Sequence, residues 1–363
     1  MLLLVAAFLG ALLTTLFLVR SSHRHAHLSN DHDRSGPQKF HAKAVPRIGG
    51  VAILLGLIVG AAALSVIHPA SQRFAWLLIL CSLPAFLAGL VEDITKNVSP
   101  RRRLAFTCLA AILAIWQMNG VIDRADVGWL DWTMMLPLAA PVITVFTISG
   151  VTNAVNIIDG FNGLASMCVV MMLGAIAYVA FQVGDLTVFY AALALIGTTL
   201  GFFVFNFPGG LIFLGDGGAY LLGFMVSELA VQLLHRNRAV SPMFALLICI
   251  YPVFETVFSI YRKKFIRRMS PGVPDGVHLH MLVYKRLMRW AIGHRDAKAL
   301  TRRNSFTSPY LWLLCATSIV PAMLFWNNTT ALLLTMLFFA LAYVTLYWRI
   351  VRFQAPRWMI VRR

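Results

Sequence analysis

Acidic residues are scarce in this chain. Asp and Glu together number 14 of 363 residues, against 31 Lys and Arg, and charged residues of both signs reach only 12% while 59% are hydrophobic. So little charge beside so much apolar sequence excludes an ordinary water-soluble domain. Cysteine is sparse as well. Cys81, Cys108, Cys168, Cys249 and Cys315 lie in or beside apolar runs at no metal-like spacing, which reads as buried, reduced thiols used as small hydrophobes. A compact basic domain is missing too. The net charge of +17 is spread over loops, so nucleic-acid binding is set aside. No internal repeat is visible, which weighs against an inverted-repeat transporter.

What is present is a series of long apolar runs. A run of roughly 18 or more such residues can cross about 30 Å of hydrocarbon as a helix. Eleven candidate spans follow, at 2–19, 48–67, 74–91, 104–118, 133–152, 164–181, 187–205, 218–234, 242–261, 306–326 and 330–348. The expected fold is all-α, a polytopic membrane helical bundle of about 11 transmembrane helices forming one domain over 1–363. Lys and Arg set its orientation. Of the 31, 27 fall in 20–47, 92–103, 262–305 and 349–363, on the same side as 153–163 and 206–217. The other side holds only Arg73, Arg124, Arg236 and Arg238. The first side is therefore read as cytoplasmic, with the N-terminus out and the C-terminus in. Its charge also suits anionic membrane lipids. Asp123, Asp126, Asp131 and Asp185 fall on the outer side as solvated loop residues.

The remaining acidic residues and amides gather at span ends on the basic side. Glu92-Asp93 closes the third span, followed by Arg101-Arg102-Arg103. Carboxylates there oppose the helix dipole, so they read either as compensated by the arginines or as a site for a cation or a phosphate's proton. Asn153, Asn156 and Asp159, spaced by three, share roughly one helical face, and Asn162 follows between Gly160 and Gly163. Such a polar series is not membrane packing and suits an oxygen-rich ligand, metal or nucleotide. Asp216 stands among glycines at the start of the eighth span, where it can cap the helix or serve an anion or metal site. His278 and His280 lie two apart in a Pro- and Gly-rich basic loop, as phosphate donors or a proton relay. Lys43 and Arg47 supply two cations beside Gly49-Gly50. Glu255 follows Pro252 in the ninth span, with Arg262 or Lys263 as its expected partner, and Glu228 in the eighth has no nameable partner. The tract His23, His25, His27, His32 and His41 reads as a solvated loop.

Two carboxylate sites plus amides suit Mg²⁺, which brings substrate phosphates with it. Together these segments resemble the polyprenyl-phosphate N-acetylhexosamine-1-phosphate transferases, above all in Asn-x-x-Asn-x-x-Asp-Gly-Phe-Asn-Gly-Leu and Gly-Asp-Gly-Gly-Ala. The resemblance runs from Lys43 to His280. It implies a Mg²⁺-dependent enzyme, with Mn²⁺ as substitute, in the bacterial inner (cytoplasmic) membrane. Its active site would face the cytoplasm and pass a sugar 1-phosphate from a UDP-N-acetylhexosamine to undecaprenyl phosphate, releasing UMP. By matching position it implies metal binding by Asp216 with Asn156. Asp93, Glu92, Asp159, His278 and His280 would be catalytic, with Lys43, Arg47, Asn153, Asn162 and Arg101 holding substrate. Pairing into a homodimer is left open. Glu92 stands where the family has a first aspartate, and Met281 where many members have a third histidine. The second span begins Val-Pro-Arg-Ile-Gly-Gly, which favours the O-antigen or cell-surface polysaccharide branch over peptidoglycan synthesis. A membrane transporter is the alternative from another class; it would place its charges near the bilayer midplane.

Overall fold

The computed structural model describes residues 1–23, 45–270, 276–288 and 297–354. Among them every long element is helical and there is no strand. In chain order the helices are α1 (Leu2–Arg20), α2 (Gly49–Ile67), α3 (Gln72–Thr95), α4 (Pro100–Met118), α5 (Gly128–Met134), α6 (Ala139–Ile158) and α7 (Leu164–Gln182). They continue as α8 (Leu186–Asn206), α9 (Gly215–Arg236), α10 (Pro242–Ile248), α11 (Ile250–Tyr261), α12 (Leu279–Leu282), α13 (Ala297–Leu324) and α14 (Thr329–Val351).

Nine of the described helices are long and apolar enough to cross a membrane, and the bent pair α10–α11 raises the number to ten. The expected span left over is the fourth, 104–118, which falls on α4. That helix forms, but Arg101, Arg102 and Arg103 occupy its first turn. The apolar part left, Leu104 to Met118, rises only about 22 Å. The α10–α11 pair is bent by 71°. Pro252 lacks the N–H that would bond the Ile248 carbonyl, so a rung is missing at the break. The fifth expected span, 133–152, is displaced toward the C-terminus. Trp132 to Met134 belong to the short helix α5, and α6 runs on through Asn153 and Asn156 to Ile158.

At the centre stands α9, buried at every residue from Gly217 to Leu234 and packed against α2, α3, α4, α6, α7 and α8. Its small residues let neighbouring backbones approach closely, as membrane helices require in the absence of a hydrophobic drive between them. A Cβ on Gly89 of α3 would lie 2.5 Å from the Asp216 carbonyl carbon. Around this axis, α1 packs on α2 and α8, and α13 packs on α7.

The two ends of the bundle differ. One gathers the C-termini of α3 and α6 and the N-termini of α2 and α9. At the other, Asp185 is buried, which differs from its expected place in a solvated loop. It accepts from Arg236 Nε at 2.7 Å and Asn237 Nδ2 at 3.0 Å. Burial alone would raise its pKa, but these donors outweigh it and hold the carboxyl below the usual range. Arg124 pairs with Asp126 at 2.7 Å, and Arg238 with Asp123, at the same end.

Candidate active site

The first end is built around the N-terminus of α9. Gly215 takes φ +76°, and a side chain there would overlap the Arg47 carbonyl and the Asp93 carboxylate. Backbone bonds from Phe213 N to Pro46 O (2.8 Å) and from Gly49 N and Gly50 N to Phe213 O and Leu214 O (3.0 Å each) hold the Arg47 segment beside it. The turn before α9 and the start of α2 are thus one unit.

Asp216 is the meeting point. Its Oδ1 accepts from Asn156 Nδ2 at 3.1 Å and lies 3.5 Å from Arg47 Nη2, and its Oδ2 pairs with Arg103. Its backbone N–H donates to Asp93 Oδ1 at 2.9 Å, and Gly217 N donates to Asp93 Oδ2 at 2.9 Å. Asp93 therefore spends both oxygens on the first N–H groups of α9, with Arg47 Nε 3.7 Å away. Those N–H groups have no partner inside the helix, and the dipole favours an anion there. Four separate elements converge here, carrying Arg47, Asp93, Asn156 and Asp216. A fifth, α4, adds Arg103, which sequence reasoning passed over in favour of Arg101; Arg101 is exposed and Arg103 half-buried.

The other expected residues are placed as follows. Glu92 Oε2 accepts from Val98 N at 2.7 Å and so closes the α3–α4 turn. Asn153 Nδ2 donates to Thr107 Oγ1 (3.1 Å) and Ser149 O (2.8 Å), tying α6 to α4. Asn162 is buried against α13, its N–H donating to Asn304 Oδ1 (2.8 Å) and its Nδ2 to Ser305 Oγ (3.0 Å). Asn206 clamps the same loop by accepting from Gly163 N at 2.6 Å and donating to Ile212 O at 2.8 Å. Lys43 and residues 271–275 lie outside the described residues.

Asp159 follows the last residue of α6. Burial pushes its carboxyl up to about 7, Arg47 pulls it back, and the negative fields of Asp216 and Asp93 raise it again. His278 Nδ1 lies 2.9 Å from Glu255 Oε1, and the His278 and His280 rings are parallel with centroids 5.3 Å apart. His280 is fully buried, and burial depresses its pKa to about 3 despite the Glu255 charge. Its ring meets Phe161 edge-on at 5.7 Å and lies 3.4 Å from where a Cβ on Gly160 would stand. The histidine loop therefore rests on the turn that follows Asp159.

Among the described residues no three His, Cys, Asp or Glu side chains stand together at metal-ligand spacing. The donor chemistry nevertheless fits a hard divalent cation. Carboxylate and amide oxygens are present, and the Asp159 carboxyl lies in the fields of the Asp216 and Asp93 carboxylates as well as that of Arg47.

The family model described as glycosyl transferase family 4 matches residues 75–234, which hold Asp93, Asn156, Asp159 and Asp216. A Bacillus subtilis protein, "Probable undecaprenyl-phosphate N-acetylglucosaminyl 1-phosphate transferase", is 30% identical over 301 residues, covering 80% of this chain and 79% of that protein. This chain belongs to glycosyl transferase family 4. An "Undecaprenyl-phosphate alpha-N-acetylglucosaminyl 1-phosphate transferase" of Thermotoga maritima is 28% identical, with 71% and 74% covered. A "Phospho-N-acetylmuramoyl-pentapeptide-transferase" of Streptococcus pneumoniae is also 28% identical, with 71% and 80% covered. Arg47 and the histidine loop lie outside the segment matched by the family-4 model, yet fold onto it.

Proposed function

We propose that this family-4 chain transfers an N-acetylhexosamine 1-phosphate from its UDP derivative to undecaprenyl phosphate and releases UMP. It would do so at the cytoplasmic face of the bacterial inner membrane, as the first membrane step of a cell-surface polysaccharide. The observation that carries the reading is the convergence of Asp216, Asn156, Arg47 and Arg103 on one point, with the histidine loop beside it. The relatives named for N-acetylglucosaminyl transfer support this sugar class. The bias of Lys and Arg supports the orientation, N-terminus out and C-terminus in.

Asp216 and Asp159, with the Asn156 amide oxygen, would hold Mg²⁺, whose remaining positions suit water and substrate phosphates. When bound, the ion would supply relief of the repulsion between two anionic reactants. The protein's own residues do the rest. A phosphate monoester has a second pKa of about 6, so the lipid phosphate is largely dianionic at neutral pH and needs no strong base. One of its oxygens bonds to the β-phosphorus of the donor. The bond from that phosphorus to the bridging oxygen breaks, and UMP leaves with the bridging oxygen. Arg47 and Arg103 sit where the diphosphate would lie and can exchange Asp216 for phosphate oxygens. His278 would donate to the same oxygens. Asp93 holds the α9 N-terminus, and with it Asp216, in place.

The test is UMP release by purified protein supplied with undecaprenyl phosphate, Mg²⁺ and a panel of UDP-N-acetylhexosamines. Release that requires the lipid and one of the sugars is expected, and chelation of the metal should abolish it. Release with no dependence on lipid would contradict the reading.

A further inference from the structure

Glu255 is fully buried in α11, and its partners differ from those the sequence suggests. In place of a nearby Arg262 or Lys263, its carboxylate gathers donors from two distant segments. Oε1 accepts from His278 Nδ1 at 2.9 Å and from Leu279 N at 3.1 Å, while Oε2 accepts from the Tyr343 hydroxyl of α14 at 2.7 Å. One turn further along α14, Tyr347 donates to the Val277 carbonyl at 3.1 Å. The C-terminal helix therefore grips the histidine loop twice, once through Glu255 and once at the backbone.

From this we infer that Glu255 is a positioning residue for His278, with Tyr343 as its brace. A carboxylate can only accept, so the bond fixes the proton on Nδ1. That leaves Nε2 as the ring atom with no protein partner among the described residues, ready to face a phosphate oxygen. The logic is that of a histidine whose second nitrogen is set by the hydrogen bond its first nitrogen makes. His280 stacks in parallel on His278 and touches the turn after Asp159, so the angle of one ring is passed to the carboxylate half of the site. His280 and Tyr251 also lie within the field of the Glu255 carboxylate, and the Arg262 charge acts on the neighbouring Tyr343 and His280.

A neutral anchor would hold the loop as well. Through its one oxygen Gln at position 255 could still accept from Nδ1 and from Leu279 N, while its NH₂ donates to the Tyr343 hydroxyl oxygen. It could also turn its amide and donate to an unprotonated Nδ1, so it would not dictate the tautomer. Glu255→Gln therefore separates positioning from anchoring.

The inference rests on the reading that His278 meets phosphate during transfer, and the experiment distinguishes the two. Ring-nitrogen NMR of isotope-labelled histidine in the full-length protein in nanodiscs is assigned for His278 by its loss in His278→Gln. The wild type should show the proton on Nδ1 alone. Glu255→Gln should show both tautomers and lower kcat about 100-fold, with KM for the UDP-sugar within about threefold. Tyr343→Phe, which removes one hydroxyl and leaves the fold intact, should mix the tautomers less and cost about threefold to tenfold in kcat. Glu255→Asp should recover part of both signals. An unchanged tautomer in Glu255→Gln, with His278→Gln inactive, would overturn this inference alone. Wild-type turnover by His278→Gln would overturn both the inference and the phosphate role of His278.

Discussion

Asp93→Asn asks what the second carboxylate of the site is for. In the structure its two oxygens take the Asp216 and Gly217 N–H groups, both at 2.9 Å, and its side chain is only 1% exposed. The amide keeps one accepting oxygen but turns an NH₂ toward the other N–H. One buried donor is then orphaned, at about 1–3 kcal/mol. Loss of the negative charge at the helix N-terminus adds about 0.3–1 kcal/mol. Relief of repulsion with Asp216 offsets part of this, so a net destabilisation of about 2 kcal/mol is expected. Asp93→Ala, which orphans both donors, should lose roughly twice as much. Thermal unfolding of the purified variants in nanodiscs, run beside the UMP-release assay, reads both quantities. Melting and turnover should fall together, because the cap and the placement of Asp216 are one structure. Complete loss of turnover with an unchanged melting point would refute the capping argument and make Asp93 a chemical participant.

Asp216→Asn should abolish transfer while the protein still inserts, at a cost of about 1 kcal/mol in stability because the amide keeps only one of the two accepting oxygens; UMP release and unfolding measured together check this. Gly89→Ala should destabilise by about 1–3 kcal/mol, because its Cβ would stand 2.5 Å from α9 backbone, and the melting temperature reports it. Asp159 has its pKa raised from 3.8 to about 7, so the folded state holds a proton that the unfolded state gives up near 4. Its contribution to stability is present below about 4 and lost as pH rises through about 7. Unfolding of metal-free protein across that window should flatten in Asp159→Asn. Incubation with labelled UDP-sugar in the absence of lipid should leave the protein unlabelled, and a trapped phospho-enzyme would replace single displacement with a two-step route.

Much of this architecture was legible in the order of residues. Apolar length located most of the helices, and the bias of Lys and Arg divided the loops into a basic set and a set nearly free of basic residues. Asp93, Asn156 and Asp216 were identifiable because a polar group at a span end needs a partner. What could not be read was which partner. Arg101, Arg102 and Arg103 are alike in sequence, but successive helical residues point about 100° apart. Only the rotation of α4 against α9 selects Arg103. Glu255 stood out as an ionisable group in an apolar run, yet its partners lie 23 and 88 residues away. No local pattern encodes such a contact. Asn153 and Asn162 carried the right residue type in the right series, but the structure spends their amide nitrogens on Thr107 and Ser305. A spacing of three sets a shared face, not what that face meets. The break before α11 was missed for a related reason, since an apolar count does not register the rung lost at a proline.

The most direct measurement follows the β-phosphate of the donor. UDP-N-acetylglucosamine radiolabelled at that phosphorus is given to purified protein with undecaprenyl phosphate and Mg²⁺, and lipid and aqueous phases are separated. The label should move into the lipid phase in step with UMP appearing in water, and should stay in water with Asp216→Asn. Sugar reaching the lipid without the labelled phosphorus, or label crossing a vesicle membrane as intact UDP-sugar, would contradict the account.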